Sequence, residues 1–388
     1  MRVGVDATSW VNRRGYGRFA RNALSRLVVL DPSTSYVFYI DAASAPEAHL
    51  PEGAEERRVT LRDRPDRAAS SDSNRSARDL LRLVRAARAD ALDAFLFPTV
   101  YTYYPVVGVP TVVGVHDVIV SELPHLTMPS RRALFLWKLK ERVALRRATR
   151  LFTVSEASRL ALSQRLRVPP DTIAIVPEAP DPSFRPREDD ETAETLRRHG
   201  LVAGDFLVYA AGISPHKSLE TLLEALAILQ GDDRHPQLVL AGDVEHDSFL
   251  SAATEIRERI AALGLETQVR LPGFVPDEDL ARLYSTCAAA VVPSLAEGFG
   301  LPAVEAAACG APAILSDLPA HRETLSGAAL FFPPKDVAAL AARLREALRE
   351  DLRPTVGARG RAAVAGLSWD LAAERLRALL ADVSMRAA

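Results

Sequence analysis

Two glutamates and two glycines lie close together in the segment 293–312, which reads PSLAEGFGLPAVEAAACGAP. Glu297 precedes Gly298 and Gly300, and Glu305 lies on the predicted helix that follows. Glycine lets a backbone approach a ligand closely, and the N–H groups of a helix start favour an anion. Carboxylates accept hydrogen bonds from sugar and ribose hydroxyls. The segment predicts a site for a diphosphate and a sugar, although an acidic residue before an idle helix end would give the same pattern.

A second anion site is predicted upstream, in AAGISPHKSLETLLEAL. The strand ends at Gly212, the turn carries His216 and Lys217, and a helix is expected to begin at Ser218. A cation beside a helix N-terminus suits a phosphate group. The alternative is a solvated surface lysine.

In the first half of the chain, His116 and Asp117 follow a strand in the segment VVGVHDVIV. Ligands of open parallel sheets bind at the carboxyl ends of strands, so His116 is a candidate site residue. A single histidine in this place can equally be structural.

Strand-like apolar runs alternate with helical patterns along the whole chain, which predicts an α/β protein with doubly wound parallel sheets. A length of 388 residues favours two cores. Prolines and charges cluster at 177–187 and indicate a linker. We therefore predict a first domain at 1–178 and a second at 179–367. A C-terminal helix within 368–388 is expected to pack back on the first domain.

With these motifs the chain resembles the retaining glycosyltransferases of the GT-B fold, in the family 4-like group of bacterial mannosyl- and glucosyltransferases. The resemblance rests on the E-x7-E arrangement of Glu297 and Glu305 around the glycine turn. It implies two Rossmann-like domains that face an interdomain cleft. It also implies transfer of a sugar from a nucleotide diphosphate sugar, with retention. No Asp-x-Asp pair follows a strand in a position to hold a nucleotide-bound cation, so neither a metal ion nor another cofactor is expected.

The resemblance also implies residue roles. Catalytic roles fall to Glu297, His116 and Lys217, with Glu297 and His116 on the transferred sugar and Lys217 on the diphosphate. Glu305 would bind the ribose. The other expected donor-site residues are Gly15, Gly17, Gly212, His216, Phe274, Val275, Gly298, Phe299, Gly300 and Leu301.

Two positions depart from the family pattern, and one loop is a candidate for the acceptor. His216 stands where arginine is frequent, and Glu178-Ala179 stands where Asn-Gly is common. The first domain is expected to bind the acceptor hydroxyl through an aromatic loop that contains Tyr101, Tyr103 and Tyr104. These tyrosines could instead pack an interdomain surface.

The charge of the chain is unevenly divided. Residues 1–180 carry 27 Lys and Arg against 19 Asp and Glu, a net charge of +8, whereas the remainder carries 21 against 31, a net charge of −10. The basic segment 131–150 could touch an anionic membrane, or it could be a helix buried on one side. No run is long enough to span a bilayer, so we expect a cytoplasmic protein, with peripheral contact at most. No nucleic-acid partner and no oligomeric state are indicated.

Two alternatives compete with a glycosyltransferase. One is a protein that binds a nucleotide sugar without transferring it. The other is an NAD-dependent oxidoreductase, suggested by GYGRFA at 15–20 and by Asp41 after the second strand. A dinucleotide fingerprint needs its first glycine directly after the first strand, and here Gly15 comes nine residues after Asp6, which disfavours this alternative.

Overall fold

The computed structural model describes residues 1–12, 14–62, 76–242 and 251–385. The chain divides into two compact units, and the division falls between Glu178 and Ala179. The first unit consists of 1–178 together with 368–388, and the second consists of 179–367.

The first unit is built on a seven-stranded sheet in which all recorded pairs are parallel. Its strand order is β3-β2-β1-β4-β5-β6-β7. The strands are β1 (Arg2–Asp6), β2 (Ser35–Asp41), β3 (Glu55–Val59), β4 (Ala94–Phe97), β5 (Thr111–Gly114), β6 (Arg150–Thr153) and β7 (Ile173–Ile175).

Helices surround this sheet. They are α1 (Gly15–Leu30), α2 (Ala77–Ala89), α3 (Ile119–Glu122), α4 (Pro124–Thr127), α5 (Arg131–Arg147), α6 (Glu156–Leu166) and, from the end of the chain, α15 (Trp369–Met385). Several begin at a serine cap: the side chain of Ser130 accepts a hydrogen bond from the N–H of Ala133 at the start of α5. Helix α15 packs against α1, where the ring of Trp369 meets Phe19 edge-on.

The second unit contains a six-stranded parallel sheet in the order β10-β9-β8-β11-β12-β13. The strands are β8 (Phe206–Ala210), β9 (Gln237–Ala241), β10 (Val269–Gly273), β11 (Ala289–Val292), β12 (Ala313–Ser316) and β13 (Leu330–Phe332). The central strands are almost fully buried, as expected for a sheet covered by helices on both faces.

The helices of the second unit are α7 (Asp190–His199), α8 (Leu219–Ile228), α9 (Ala253–Ala262), α10 (Asp277–Thr286), α11 (Leu301–Ala308), α12 (Pro319–Leu325), α13 (Val337–Arg349) and α14 (Ala358–Val364). The helix expected to begin at Ser218 begins one residue later, because Ser218 has left-handed backbone angles (φ 52°) and caps it. Helix α10 begins at Asp277, and Pro276 is its N-cap.

Both sheets have the strand order 3-2-1-4-5-6 of doubly wound folds, which the first unit extends by β7. The order reverses between β1 and β4 in the first unit and between β8 and β11 in the second. Ligands of such folds bind beyond the carboxyl ends of the strands at this reversal. The loops after β8 and β11 are the two segments that carry Lys217 and Glu297.

Candidate donor site

Glu297 and Lys217 meet at the reversal point of the second sheet. Strands β8 and β11 are paired there, and the segments that follow them bring the Lys217 Nζ atom to 2.7 Å from Glu297 Oε1. The side chains are 14% and 8% exposed. The loops are also joined through the backbone, since the N–H of Leu295 donates to the carbonyl of His216 at 2.8 Å.

One carboxylate oxygen of Glu297, Oε1, accepts hydrogen bonds from two side chains. Ser294 Oγ donates to Oε1 at 2.7 Å, beside the bond from Lys217. Among the described residues, Oε2 has no hydrogen-bond partner. The carboxylate is therefore held in place through one oxygen while the other remains able to accept a hydrogen bond from a sugar hydroxyl.

Glu297 is held as a carboxylate anion. Burial by itself raises the pKa of this group, but the charge of Lys217, the charge of His321 when its ring is protonated at acid pH, and the hydrogen bonds from Lys217 and Ser294 outweigh burial and lower the pKa to about 2. Glu297 is therefore negative throughout the neutral range.

The turn after Glu297 ends in a glycine that needs its left-handed conformation. Gly300 has φ +87° and caps α11. A Cβ at this position would lie 2.8 Å from Cδ2 and 3.2 Å from Nε2 of His321, so a side chain here would displace the imidazole. Pro302, the second residue of the helix, has no N–H. The N–H of Ala303 donates a hydrogen bond to the carbonyl of Gly300. Leu301 is left to present its N–H at the positive end of the helix.

A chain of hydrogen bonds continues beneath this turn into the next strand and helix. Ser316, the last residue of β12, donates its Oγ to the carbonyl of Ser294 at 2.6 Å. The carbonyl of Ser316 in turn accepts from Nδ1 of His321 on α12 at 2.8 Å. Ser294, Ser316 and His321 were not predicted as site residues from the sequence. The sequence did offer one signal for the two serines: Ser294 closely follows β11 and Ser316 ends β12, at the strand ends where ligands of such sheets bind.

His321 is fully buried, and its second ring nitrogen is unpaired. Because the Ser316 carbonyl accepts from Nδ1, the neutral ring carries its proton there and presents a lone pair at Nε2. That atom has no hydrogen-bond partner in the part of the chain that the structure describes. Burial lowers the pKa of His321 below its usual value, and the positive charge of Lys217 lowers it further. The negative charge of Glu297 and the hydrogen bond to the Ser316 carbonyl raise the pKa but do not outweigh burial.

Four further expected donor-site residues have distinct surroundings. Glu305 lies in α11 and is only 5% exposed. Phe274 follows β10 and has an exposed side chain, whereas its neighbour Val275 packs into the core. Gly212 accepts a hydrogen bond from the hydroxyl of Tyr209 through its carbonyl, which fixes the loop after β8.

His116 lies at the corresponding strand ends of the first unit. Its Nε2 donates to the carbonyl of Pro98, which follows β4, at 2.8 Å. Nδ1 lies 3.6 Å from Oε1 of Glu178, and both side chains are 7% exposed. Sequence analysis left the role of Glu178 open, because Asn-Gly is common at 178–179. In the structure its carboxylate faces the histidine.

Gly15 and Gly17, two of the expected donor-site residues, lie at the start of α1. Gly15 is the first residue of the helix. Gly17 has a steric reason to be glycine, because a Cβ there would lie 2.1 Å from the carbonyl oxygen of Asn12. Their N–H groups lie in the first turn of α1, where a helix has free donors.

The expectation that Tyr103 and Tyr104 contact the acceptor needs correction. Tyr103 and Tyr104 are 4% and 0% exposed, and their rings pack against Phe97 in the core of the first unit. Tyr101 is half-buried, and its ring packs against Tyr16 and Trp137. The aromatic cluster forms a hydrophobic core within one unit, so neither an acceptor surface nor an interdomain surface explains Tyr103 and Tyr104.

The second unit thus combines a doubly wound sheet, a fixed carboxylate, a lysine and a helix N-terminus at the reversal point of the strands. This is the arrangement of an α/β protein that binds a phosphorylated ligand through the ends of its strands.

Comparison with known proteins identifies the family. The model of glycosyl transferases group 1 matches residues 194–363, and that of glycosyltransferase family 4 matches residues 17–184. The chain therefore belongs to the family 4-like glycosyltransferases of the GT-B fold, which confirms the fold and the enzyme class expected from the sequence.

Among characterised relatives, the O-antigen chain mannosyltransferase B of Escherichia coli is 30% identical over 258 residues, which cover 66% of this chain and 66% of that protein. The serotype-specific mannosyltransferase WbdA of Escherichia coli is 29% identical, and the match covers 62% of this chain and 29% of WbdA. The matched part of the chain spans less than two thirds of these relatives.

Solved structures agree in fold. Sucrose-phosphate synthase from Thermosynechococcus elongatus superposes with a TM-score of 0.76 at 19% identity and full coverage of both chains. Anabaena Alr3699/HepE in complex with UDP-glucose gives 0.75 at 18% identity, covering 98% of this chain and 100% of that one. Within the described ranges of this chain, no helix is long and apolar enough to cross a membrane.

Proposed function

We propose that the protein transfers a hexose from a nucleotide diphosphate sugar to an acceptor hydroxyl, with retention of anomeric configuration. The observation that carries the proposal is the pair of hydrogen bonds from Lys217 and Ser294 to a single oxygen of Glu297, beside the start of α11. This geometry leaves Oε2 to orient the sugar, while positive charge lies close by for the diphosphate. Mannosyltransferase relatives support a hexose donor.

In the proposed reaction, the bond between the anomeric carbon and the diphosphate oxygen breaks as the acceptor oxygen bonds to the same face of that carbon. The acceptor proton passes to the departing phosphate oxygen, so no separate base is needed. Negative charge grows on the leaving group near Lys217 and the N–H of Leu301. Positive character grows on the sugar near Glu297, and His116 holds the sugar in register.

A thermal-shift screen over UDP-, GDP-, ADP- and dTDP-sugars identifies the donor, because a ligand that binds the native state raises Tm. With that donor and an acceptor, NMR of the first product should show the donor's anomeric configuration. An inverted linkage would contradict retention. A donor that binds but is never transferred to any glycan, lipid-linked or small-molecule acceptor would favour the alternative of a silent nucleotide-sugar-binding protein.

We also propose that transfer requires no metal ion. Lys217 and the N-terminus of α11 can supply the positive charge that a nucleotide-bound cation supplies elsewhere. Turnover should be unchanged after dialysis against EDTA. Loss of turnover that returns on addition of Mg²⁺ or Mn²⁺ would overturn this part of the proposal.

Peripheral contact with an anionic membrane, at its cytoplasmic face, is the third part of the proposal. Helix α5 buries one side, including Trp137 and Glu141, in the first unit. On its other side Phe135 and Leu139 are 67% and 49% exposed. The exposed basic residues beside them are Arg131, Arg132, Lys138, Arg142, Arg146 and Arg147. Apolar side chains surrounded by cations suit the surface of an anionic bilayer.

Co-sedimentation with vesicles tests this contact. The protein should sediment with vesicles that contain an anionic phospholipid and remain in solution with purely zwitterionic ones. The double variant Phe135→Ser/Leu139→Ser should weaken the association, whereas Val29→Ser, which changes an exposed apolar residue elsewhere in the first unit, should not. Equal sedimentation of the double variant would assign these exposed residues no membrane role.

A further inference from the structure

His321 is a buried titratable group whose role in the proposed donor site is still unexplained. It is 0% exposed, and Nδ1 is committed to the carbonyl of Ser316. Nε2 has no partner among the residues with described positions. A buried polar atom without a partner is costly, so its retention calls for a functional explanation.

The ring lies directly under the helix start at which the diphosphate is expected. Nε2 and Cδ2 are the atoms that a Cβ on Gly300 would touch, at 3.2 and 2.8 Å. Glycine at this position allows the imidazole to lie against the cap of α11. The unpaired nitrogen and the Leu301 N–H thus belong to the same small region.

Two charged side chains of the donor site act on His321. Glu297 and Lys217 act on it with opposite signs, and they form an ion pair with each other. Helices α11 and α14 pack against α12. The charged residue of α11 is Glu305. The other, α14, carries Arg359 and Arg361, and both are exposed.

On α12 itself the charged residues are Arg322 and Glu323. Arg322 is paired with Asp317, the residue before this helix's cap, through two hydrogen bonds. A bound diphosphate would add negative charge to a region in which Lys217 is also paired with Glu297. A second cation there would offset that added charge.

We propose that His321 is a donor-site residue that takes up a proton at Nε2 when the nucleotide sugar binds, so that the imidazolium becomes a second counter-charge to the diphosphate. The proton comes from solvent, and Nδ1 keeps its own proton on the Ser316 carbonyl. His321 therefore acts through charge and through the position of the α11 cap. This inference rests on the proposed donor site.

Calorimetric titration in two buffers of different ionisation enthalpy measures the proton uptake directly. The probe is whichever of UDP-glucose or GDP-mannose raises Tm, used at pH 7.5, where neither compound changes its own protonation. The wild-type protein should take up a substantial fraction of one proton, on the order of 0.5–1 per donor bound. The same titration with His321→Asn, which can still donate to the Ser316 carbonyl, should show no uptake and a donor affinity lower by about 5–30-fold.

The control is His235→Gln, which replaces an exposed histidine of the same unit and should leave both uptake and affinity unchanged. If His321→Asn does not fold, nitrogen-detected NMR of the wild-type ring gives the same answer, because the Nε2 resonance must change from the unprotonated to the protonated form on donor addition. Undiminished uptake in His321→Asn, or an unprotonated Nε2 in the complex, would overturn the inference. If neither of these donors nor any ADP- or dTDP-sugar binds, the proposed donor site itself fails, and the inference fails with it.

Discussion

Each unit places a buried glutamate beside a basic side chain at its strand ends, but the two pairs differ in how they are held. In the second unit, Lys217 lies 2.7 Å from Glu297, and Ser294 adds a second bond to the same oxygen. In the first unit, His116 and Glu178 are 3.6 Å apart, beyond hydrogen-bonding distance, and the ring is held by Pro98 instead. Two sheets of almost the same topology thus carry one preformed ion pair and one looser pair. The residues that follow the strands, and not the topology of the sheet, therefore determine which chemistry each unit can perform.

The strongest test of this contrast is Glu297→Gln. We expect turnover to fall by roughly 100–1,000-fold, because the charge next to the reacting sugar is lost while the shape is kept. The affinity for the bare nucleotide should change far less. Steady-state kinetics with the identified donor, together with calorimetry of nucleotide binding, gives both numbers. Wild-type turnover in a folded variant would remove Glu297 from the catalytic assignment.

His116→Ala should have the next largest effect. If the histidine orients the sugar, turnover should fall by roughly 10–100-fold with nucleotide affinity nearly unchanged. Glu178→Gln is the informative companion, because it keeps the shape beside Nδ1 but removes the charge. A drop in nucleotide affinity that equals the drop in turnover would instead place His116 on the nucleotide.

Lys217→Ala should mainly weaken nucleotide binding. Loss of a charge-assisted bond is worth about 1.5–3 kcal/mol, so Kd measured by calorimetry should rise by roughly 10–150-fold. The variant also leaves Glu297 buried without its cation, which lowers the free energy of unfolding. The double variant Lys217→Ala/Glu297→Gln should recover stability without recovering affinity. Recovery of both would mean that the lysine acts only on Glu297.

Lowering the pH should remove the contribution of ionised Glu297 to the free energy of unfolding. Its pKa is about 2 in the folded protein, below the usual value of 4.5. Its contribution is therefore fully present above about pH 4.5 and is lost as the pH falls towards 2. Glu297→Gln lacks this contribution, so the difference in free energy of unfolding between the wild type and the variant should shrink over that window. Denaturant unfolding at a series of pH values measures it, and a constant difference would contradict the ion pair.

The smallest expected effect is at the edge of the donor site. Phe274, an expected donor-site residue, is exposed after β10, and Phe274→Ala should weaken nucleotide binding by about 2–10-fold through lost ring contact. Val202→Ala, at another exposed apolar residue of the second unit, serves as the control. Equal affinities in all three proteins would leave Phe274 without a role in base binding.

Much of the fold was predictable because buried parallel strands are short apolar runs, and their alternation with helices is visible in the sequence. Two edge strands were not predicted. Strand β3 reads EERRV, and at the sheet edge its charged residues face solvent or pair, as Arg57 does with Asp90. Its pattern therefore lacks the apolar signal. Strand β13 is a three-residue edge strand, too short to stand out.

The site was predictable where one segment carries the chemistry, as in the glycine turn after Glu297. Contacts between distant segments were not: Lys217 and Glu297 are 80 residues apart, and their meeting depends on β8 and β11 being neighbours. His321 was missed because a histidine in a helix gives no local signal, and its meaning comes from Gly300 and Ser316. The tyrosines were misjudged because an aromatic cluster looks the same in a core as on a binding surface.

The return of α15 to the first unit has a consequence for the order in which the protein can fold. The ring of Trp369 packs against Phe19, and Asp382 accepts a hydrogen bond from Arg150. Helix α15 therefore completes a core that includes α1. During synthesis, residues 179–367 are finished before that helix leaves the ribosome. The second unit is an insert that can mature first, whereas the first unit must wait until Trp369–Met385 has been synthesised. We therefore expect that a chain truncated before Ser368 retains a protease-resistant second unit and loses the first.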